Sequence, residues 1–370
     1  MFEAIDLQFL VLIISASLNL FDDDADYQKY IKFAMRNAHP SMKKSSSLLL
    51  LAAVIAATVF TACEKASFPI AGSCIYFGSY PTNEVVDGTF MAVDGYALDD
   101  GDVIADTALY AKLEQALWNE NDDTEMEGMR YHRLCGSGAV TAAGDRAQHY
   151  RWDNPEAWHY FAYAPIKWRV LNITGSKALL LADRMPDTHP FHGHEQDIDW
   201  CRSDLRQWLN NEFLKRAFSG HESAAILETR LENVPNAYFG TPSGPETHDK
   251  VFILSGNEVF NSPLAADYGF YPGNGLDDPA RRFRSTLYAK CRGAWWSPVE
   301  GYRGNSFWLM RTSGYTPGNI TYICDFGYIY NQGTLVTCDD AAILPAITID
   351  LNCAGYTPAP TVSSKDITIR

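Results

Sequence analysis

Residues 165–181 read PIKWRVLNITGSKALLL, and this stretch decides the first element of the fold. Apolar and polar side chains alternate over 166–171, which is the period of a strand with one buried face. Residues 172–177 contain Gly175 and are typical of a turn, and the apolar run 178–181 forms a second strand. The sequence therefore predicts a β-hairpin here.

Beyond the hairpin, helix signals come first and strand signals follow. Ser203 is placed to cap a helix, and Ser219–Glu222 and Ser255–Glu258 have the S-x-x-E pattern of a capping box. Short apolar runs between turn residues predict strands at 251–254, 320–324, 327–330, 334–337 and 346–351, with a hairpin loop at Asn331-Gln332-Gly333. Upstream, Cys74–Gly78 is a predicted strand that ends at Ser79-Tyr80-Pro81. Strands, then helices, then strands indicate an α+β fold.

The chain divides into segments of different character. Residues 63–74 are a short tether, 75–355 the predicted folded domain and 356–370 a polar tail. Within the domain, residues 83–164 are rich in Asp, Glu and Gly and carry one clear helix signal, for which Asp106 or Thr107 is the cap. We interpret 83–164 as an insertion.

The N-terminal region carries a targeting signal. Residues 42–62 begin with Met42-Lys43-Lys44 and continue with an apolar run over 48–60, which is typical of a secretory signal peptide. Cys63 follows Ala62 at once and resembles the lipidated cysteine of the bacterial lipobox. Residues 1–41 lack a basic start, and we interpret them as an extension from an upstream mis-start. We therefore expect an exported chain that is anchored to the cell envelope by lipid on Cys63.

Composition excludes several classes of function. The 370 residues carry 30 basic and 45 acidic side chains, a formal charge of −15, which argues against nucleic acid as a partner. No uncharged apolar run is long enough for a multi-span membrane protein. Hydrophobic residues make up 46% of the chain, so a large core is expected.

If Cys63 is lipidated, an odd number of cysteines remains, and our best candidate for a disulfide bridge is Cys324 with Cys338.

Six segments in order carry a family resemblance: Phe77–Pro81, Pro165–Leu171, Leu205–Leu214, Asp249–Ser255, Phe307–Tyr315 and Pro345–Leu351. Together they resemble a bacterial surface domain of unknown function that looks like the C-type lectin and sulfatase-modifying-factor superfamily. The chain departs from the usual pattern at Met310, which separates Leu309 from Arg311, and at Leu344, where Arg usually stands. The resemblance implies a compact C-type lectin-like fold with two to three helices and a loop-rich C-terminal sheet. Its relatives use that region to bind ligands or, in the formylglycine-generating branch, to oxidise cysteine.

Aromatic residues are dense between Trp295 and Tyr330, and they form the leading candidate for a ligand surface. We expect the tryptophans to lie in the core, whereas strand alternation should expose some tyrosines. The candidate ligand-binding residues are Tyr315, Tyr322, Tyr328, Tyr330 and Asn331.

Other chemistry-bearing groups give weaker signals. His189, His192 and His194 are candidate metal ligands, but Pro190 and Gly193 favour a solvated loop. Asp277-Asp278 and Asp339-Asp340 offer too few oxygen ligands for calcium. No phosphate-binding, dinucleotide-binding or nucleophile-elbow motif is present, so we expect no cofactor and assign no catalytic residue.

These observations favour a cell-surface lipoprotein that binds a glycan, a peptide or a host protein through its aromatic-rich C-terminal face. Two alternatives remain open at this point. One is an oxidase related to the formylglycine-generating enzymes, which predicts a pocket with a reactive thiol or a metal. The other is a structural or adhesion subunit, which predicts an apolar patch on residues 83–164.

Overall fold

The predicted hairpin at 165–181 is confirmed, and its first strand is the centre of the larger sheet. The structure is a computed structural model that describes residues 68–88, 102–135, 156–261, 263–272 and 278–360. From Pro69 onward these residues belong to one structural unit. Strands outnumber helices, and the sheets are open, so the fold is a mixed helix–strand fold. No helix within the described ranges is long and apolar enough to cross a membrane.

The strands, in chain order, are β1 (Cys74–Val86), β2 (Val103–Ala105), β3 (Asp123–Met126), β4 (Met129–Cys135), β5 (Trp158–Thr174), β6 (Lys177–Ala182), β7 (Asp187–Thr188), β8 (Ile226–Leu227), β9 (Thr229–Leu231), β10 (Thr247–Asp249), β11 (Val251–Phe252), β12 (Phe283–Arg284), β13 (Asn305–Ser306), β14 (Trp308–Ser313), β15 (Asn319–Ile323), β16 (Ile329–Leu335), β17 (Ala342–Ile343), β18 (Ala346–Asp350) and β19 (Thr357–Pro358). The α-helices are α1 (Thr107–Glu114), α2 (Asp204–Trp208), α3 (Leu214–Ala217), α4 (Gly220–Ala225), α5 (Pro263–Asp267) and α6 (Leu287–Arg292). Leu209–Phe213 and Asn257–Asn261 are π-helical, and Trp200–Arg202 and Pro279–Arg281 are 3₁₀ turns.

The larger sheet has ten strands, with β11, β18, β6, β5, β1 and β19 in that order. The strands β2, β4 and β8 pair alongside this path, and β3 pairs with β4. The long strand β5 is antiparallel to β1, β4 and β6, so most of the sheet is hydrogen-bonded through it or through a direct neighbour.

The first strand is longer than predicted. We expected it to end at Ser79-Tyr80-Pro81, but β1 continues to Val86, with register shifts between Tyr76 and Ser79 and between Pro81 and Asn83. Such bulges absorb an irregular residue without ending a strand, and a bulge is one of the few positions in a sheet that tolerates proline. The prediction that these turn residues end the strand was therefore wrong.

Residues 83–164 were interpreted as an insertion, and the structure shows how their described parts join the sheet. Residues 83–86 are the end of β1, and 158–164 are the start of β5. The strand β4 pairs with β5, and β2 pairs with β1. Asp106 caps α1, as predicted, by accepting a hydrogen bond from the Leu109 amide at 2.9 Å.

The smaller sheet has five strands in the order β16, β15, β14, β17 and β7. We predicted a hairpin loop at Asn331-Gln332-Gly333 between two strands, but β16 runs through these residues without interruption, so that prediction was wrong. Gly333 has a positive φ of 85°, and a Cβ atom on it would lie 2.6 Å from the Ile320 carbonyl oxygen. Glycine is needed here for the close approach of β15, rather than for a turn.

Most of the buried apolar side chains form one large cluster, to which the ten-stranded sheet and the five-stranded sheet both contribute. Three fully buried tryptophans anchor it, and each indole N–H has an acceptor. Trp168 donates to the Phe77 carbonyl (2.7 Å), Trp308 to the Arg281 carbonyl (3.1 Å) and Trp200 to the Asp249 carboxylate (3.0 Å). The large rings are therefore buried without leaving a polar group unsatisfied.

The predicted helix caps are present. Ser203 caps α2, and Ser219 with Glu222 forms the reciprocal capping box of α4. Ser255 and Glu258 also bond reciprocally, but the turn that follows is π-helical. Glu258 has a second role there: its carboxylate lies 2.6 Å from the guanidinium of buried Arg311, so Arg311 is a structural residue in this fold.

The predicted bridge between Cys324 and Cys338 is not formed, and both are free thiols. Cys324 follows β15 and pairs its amide with the Tyr328 carbonyl at the turn. Cys338 lies beyond the other end of β16, and its thiol donates to Asp340 at 3.1 Å. The two cysteines are thus attached to opposite ends of one hairpin.

The state of these thiols can be tested by alkylation. Burial, and then the Asp340 carboxylate, raise the pKa of Cys338 to about 12, so only roughly one thiol in ten thousand is ionised at pH 8. We expect Cys338 to resist iodoacetamide in the native protein, while exposed Cys353 reacts. In denaturant without reductant, mass spectrometry should find Cys324 and Cys338 both alkylated. A disulfide-linked peptide pair would contradict the structure.

The course of β16 can be tested with two glycine substitutions. Gly175→Ala places a Cβ in open space at a φ of 62°, so it should cost only the left-handed backbone strain of about 1–2 kcal/mol. Gly333→Ala adds the clash with the Ile320 carbonyl and should cost about 3 kcal/mol or more, measured by urea unfolding. Equal losses of unfolding free energy in the two variants would indicate a hairpin loop at residues 331–333, in contradiction to the structure.

Candidate functional site

The aromatic residues of the smaller sheet separate onto two faces. Tyr322 and Tyr330 are directly paired across β15 and β16, so their side chains share a face. The neighbouring pair, Ile323 and Ile329, points to the other face and is fully buried, as is Trp308. The core therefore takes the tryptophan and isoleucines of these strands, and the tyrosines lie on the outer side.

Five side chains form a continuous aromatic row on this outer side: Trp295, Phe307, Tyr322, Tyr330 and Tyr328. The centroids of successive rings lie 6.0, 5.6, 4.7 and 5.0 Å apart. Tyr322 and Tyr330 are stacked with an angle of 5° between their planes, and Tyr328 meets Tyr330 edge-on. Tyr330 is 37% exposed, and the other four are half-buried. The row therefore presents both hydrocarbon and phenol hydroxyls to solvent.

Burial affects the hydroxyls of the row. Burial, and then the neighbouring Tyr330, raise the pKa of Tyr322 to about 12. The pKa of Tyr330 is raised as well, again chiefly by burial. Both hydroxyls therefore remain protonated near neutral pH and can donate as well as accept hydrogen bonds.

Two of the five predicted ligand residues lie outside this row. Tyr315 is 64% exposed, but it packs edge-on against Phe239 with the centroids 5.1 Å apart. Asn331 follows Tyr330 in β16 at a register shift relative to β15, and its backbone carbonyl accepts from the Asn236 side chain at 3.0 Å. The structure thus brings together Tyr322, Tyr328 and Tyr330, and it adds Phe307 and Trp295, which we had not named as ligand residues.

The three candidate metal-binding histidines are not gathered into a site. His189 stacks on Trp208, with the ring centroids 5.0 Å apart. The Nδ1 atom of His192 lies 2.9 Å from the Asp204 carboxylate, and the loop leaves His194 exposed. Within the described part of the chain, no three His, Cys, Asp or Glu side chains are arranged to hold a metal ion. The aspartates offered for calcium have other contacts: Asp278 bonds to Arg281, and Asp340 accepts from Cys338.

A cavity of about 470 Å³ lies near β7, which is the end strand of the smaller sheet opposite to β16. Its walls come from β1, the β3–β4 hairpin, the α2–α3 segment and α6, and none of its lining residues belongs to the aromatic row. Trp158 and Trp208 line it together with a set of charged and phenolic side chains. Its volume is within the range of small-molecule sites.

The floor of the cavity is a hydrogen-bonded network around Asp187, which is 1% exposed. Its carboxylate accepts from the Tyr80 hydroxyl at 2.7 Å, from the Arg292 Nε at 3.2 Å and from the Thr188 amide at 2.8 Å. Burial, and then Asp187, raise the pKa of Tyr80 well above its usual value, so its hydroxyl stays a donor. The Tyr80 hydroxyl is therefore a fixed donor to the Asp187 carboxylate.

One wall of the cavity is cationic. Arg216 and Arg292 both line it, and the only hydrogen bond from the Arg216 guanidinium to a described residue goes to the Tyr288 hydroxyl at 3.4 Å. His132 lines the same space and bonds through Nδ1 to Asp123 at 2.9 Å. Burial raises the pKa of Asp123, but hydrogen bonds from His132 and Tyr163 and the nearby charge of Arg216 lower it more, so the pKa lies below its usual value.

Sequence reasoning did not find this cavity because its residues come from six distant positions. Tyr80, His132, Asp187, Arg216, Tyr288 and Arg292 share no spacing that a motif could describe. The one indication in the sequence was Asp187, a charged residue that follows the apolar strand at 178–181 within a few residues.

The chain was compared with known proteins, and neither the curated proteins nor the solved structures gave a match. A family model matches residues 175–351. This range contains the whole aromatic row and six cavity residues, Asp187, Trp208, Glu212, Arg216, Tyr288 and Arg292, but it excludes β1 and β4. The family whose model matches over these residues is a domain of unknown function, DUF6273.

Proposed function

We propose that this protein is an exported, lipid-anchored surface protein whose folded unit binds an extracellular glycan through the aromatic row. The observation that carries the proposal is the continuous row from Trp295 to Tyr328 on the outer side of the smaller sheet. Contiguous apolar patches that remain exposed on a folded protein often mark binding surfaces.

The chemistry of the row suits a sugar chain. Sugars have apolar C–H faces and polar hydroxyl rims, and tyrosine offers an apolar ring with a polar tip. Five rings in succession provide repeated contacts, which favours an extended ligand over a compact one. Tyrosine also loses little conformational freedom on binding, because it has two side-chain torsions.

The proposal includes the C-type lectin-like fold, which the resemblance implies and with which the mixed helix–strand architecture is compatible. For the oxidase alternative, the described thiols offer little support. Burial raises the pKa of Cys324 and of Cys338, whereas a reactive thiol needs a lowered pKa. For the adhesion alternative, Leu117, Met129 and Trp158 are exposed within 83–164, and the rings described in contact there are the shorter series Tyr110, Tyr160 and Trp118.

Glycan binding can be tested with one tyrosine of the row and one outside it. We expect the purified full chain to retain specific glycans on an array, and Tyr330→Ala to weaken that binding about tenfold, ~1.4 kcal/mol, because a stacked ring is lost. Tyr315→Ala is the matched control, since Tyr315 is more exposed than Tyr330 but lies outside the row.

The control also separates the outcomes. Equal losses for Tyr315→Ala and Tyr330→Ala would place binding elsewhere on the C-terminal face. An array without any retained glycan, together with binding to peptide or protein surfaces that Tyr330→Ala abolishes, would replace the glycan by a protein partner.

The anchor is tested by metabolic labelling with palmitate in a bacterial host. We expect Cys63→Ala to abolish lipid incorporation and to release the chain from the membrane fraction, because Cys63 is the proposed acceptor. Cys353→Ala, which removes an exposed thiol elsewhere, should leave labelling unchanged. Undiminished labelling of Cys63→Ala would show that the lipid is attached at another position.

A further inference from the structure

We infer that the cavity beside β7 is a second binding site, which takes the carboxylate group of a small monoanionic ligand. The inference concerns residues that the aromatic row does not include, and it does not depend on the proposed glycan. It rests on which donors and charges line the cavity and on which of them the protein already uses.

Two guanidinium groups contribute unused donors. Arg292 bonds to Asp187 only through Nε, so both of its Nη groups are left without a hydrogen bond to a described residue. Arg216 has no carboxylate within 4.0 Å among these residues, and its one bond is the 3.4 Å contact with Tyr288. Arginine is always charged and presents a planar set of donors that matches a carboxylate. A half-buried arginine without an ionic partner is unusual unless a ligand supplies that partner.

A neutral donor completes the site. The Tyr288 hydroxyl accepts from Arg216, and its own proton has no acceptor in the described residues. His132 also lines the cavity, but its Nδ1 is bonded to Asp123, so we do not count it among the donors. Tyr80, by contrast, is committed to Asp187. The cavity therefore offers several donors to a ligand and holds its one buried acceptor, Asp187, within the floor network.

The rim limits the charge of the ligand. Glu120 and Glu212 line the cavity and are exposed, and neither forms an ion pair with Arg216 or Arg292. Arg133 is neutralised by Asp122 at 2.8 Å. A dianion such as phosphate would meet these rim carboxylates with twice the repulsion of a monoanion. Of the two arginines with unused donors, Arg292 is already paired with Asp187 and Arg216 forms no ion pair within 4.0 Å, so this pair of side chains matches one carboxylate.

The volume supports a ligand of monosaccharide or amino-acid size. At about 470 Å³, the cavity is much larger than a single carboxylate needs, so the rest of the ligand lies against the other walls. Trp158 and Trp208 contribute apolar surface there; Trp158 is 37% exposed and Trp208 is partly buried. A bound ligand should therefore change the fluorescence of these two tryptophans.

The test is a fluorescence titration of the purified full chain with acetate, lactate and glucuronate, with glucose and inorganic phosphate as comparison probes and ionic strength kept constant with sodium chloride. We expect the carboxylates to change tryptophan fluorescence with dissociation constants of about millimolar order, and glucuronate to bind while glucose does not. The glucuronate–glucose pair isolates the carboxylate, since the two molecules otherwise share the sugar ring.

Variants of one arginine assign the response to the cavity. Arg216→Gln should weaken carboxylate binding at least about tenfold, and Arg216→Lys should weaken it less, because it keeps the charge but loses the planar donors. Arg202→Gln is the matched control with the same charge change at an exposed site. Arg216 has no carboxylate within 4.0 Å in the described structure, so Arg216→Gln breaks no direct ion pair and removes only the nearby positive charge that favours ionised Asp123; we expect a small decrease in its melting temperature.

A further variant keeps the inference testable if Arg216→Gln folds poorly. Glu212→Gln removes one rim carboxylate and should strengthen carboxylate binding about threefold. Four results would overturn the inference: no response to any carboxylate, equal binding by Arg216→Gln or Arg216→Lys and wild type, tighter binding of phosphate than of the carboxylates, or weaker binding by Glu212→Gln. If the full chain retained no glycan but still bound carboxylates, the proposed glycan binding by the aromatic row would be overturned and the carboxylate site would stand.

Discussion

The buried carboxylate of Asp187 is the group on which the described site depends. It joins three elements that are far apart in the chain, because it accepts from Tyr80 in β1, from Arg292 in α6 and from the amide of its own strand β7. β1 belongs to the larger sheet and β7 to the smaller one, so a single charge connects the two sheets beside the cavity. A buried carboxylate is tolerated only when it is fully bonded, as it is here, and the loss of any one donor would leave it under-satisfied.

The two proposed binding surfaces therefore differ in character along the smaller sheet. At β14–β16 the outer side carries rings that contact one another and offer little charge. Near β7, at the opposite end of the strand order, the lining is charged and rich in donors. Arg292 lines the cavity and Trp295 begins the aromatic row, and three residues of chain span at most about 11 Å. An extended ligand could reach both surfaces, although each is built from different residues.

Local patterns in the sequence predicted local structure well. The hairpin around Gly175, the caps at Asp106, Ser203 and Ser219, and the strand at 346–350 all depend on neighbours within a few residues. The failures have long-range causes. Pro81 lies in a bulge set by β5, and Gly333 allows the close approach of Ile320, so turn residues did not mark turns. The tyrosine row followed from strand alternation, whereas the cavity is assembled from positions up to about two hundred residues apart and left no pattern to read.

The short strand β19 has a consequence for how the folded unit is attached to the rest of the chain. Pro358 pairs with Ile75, so the polypeptide enters and leaves the larger sheet at adjacent points on one edge. Such a unit can be permuted, by closing the two neighbouring ends and opening a surface turn elsewhere, with little disturbance of its core.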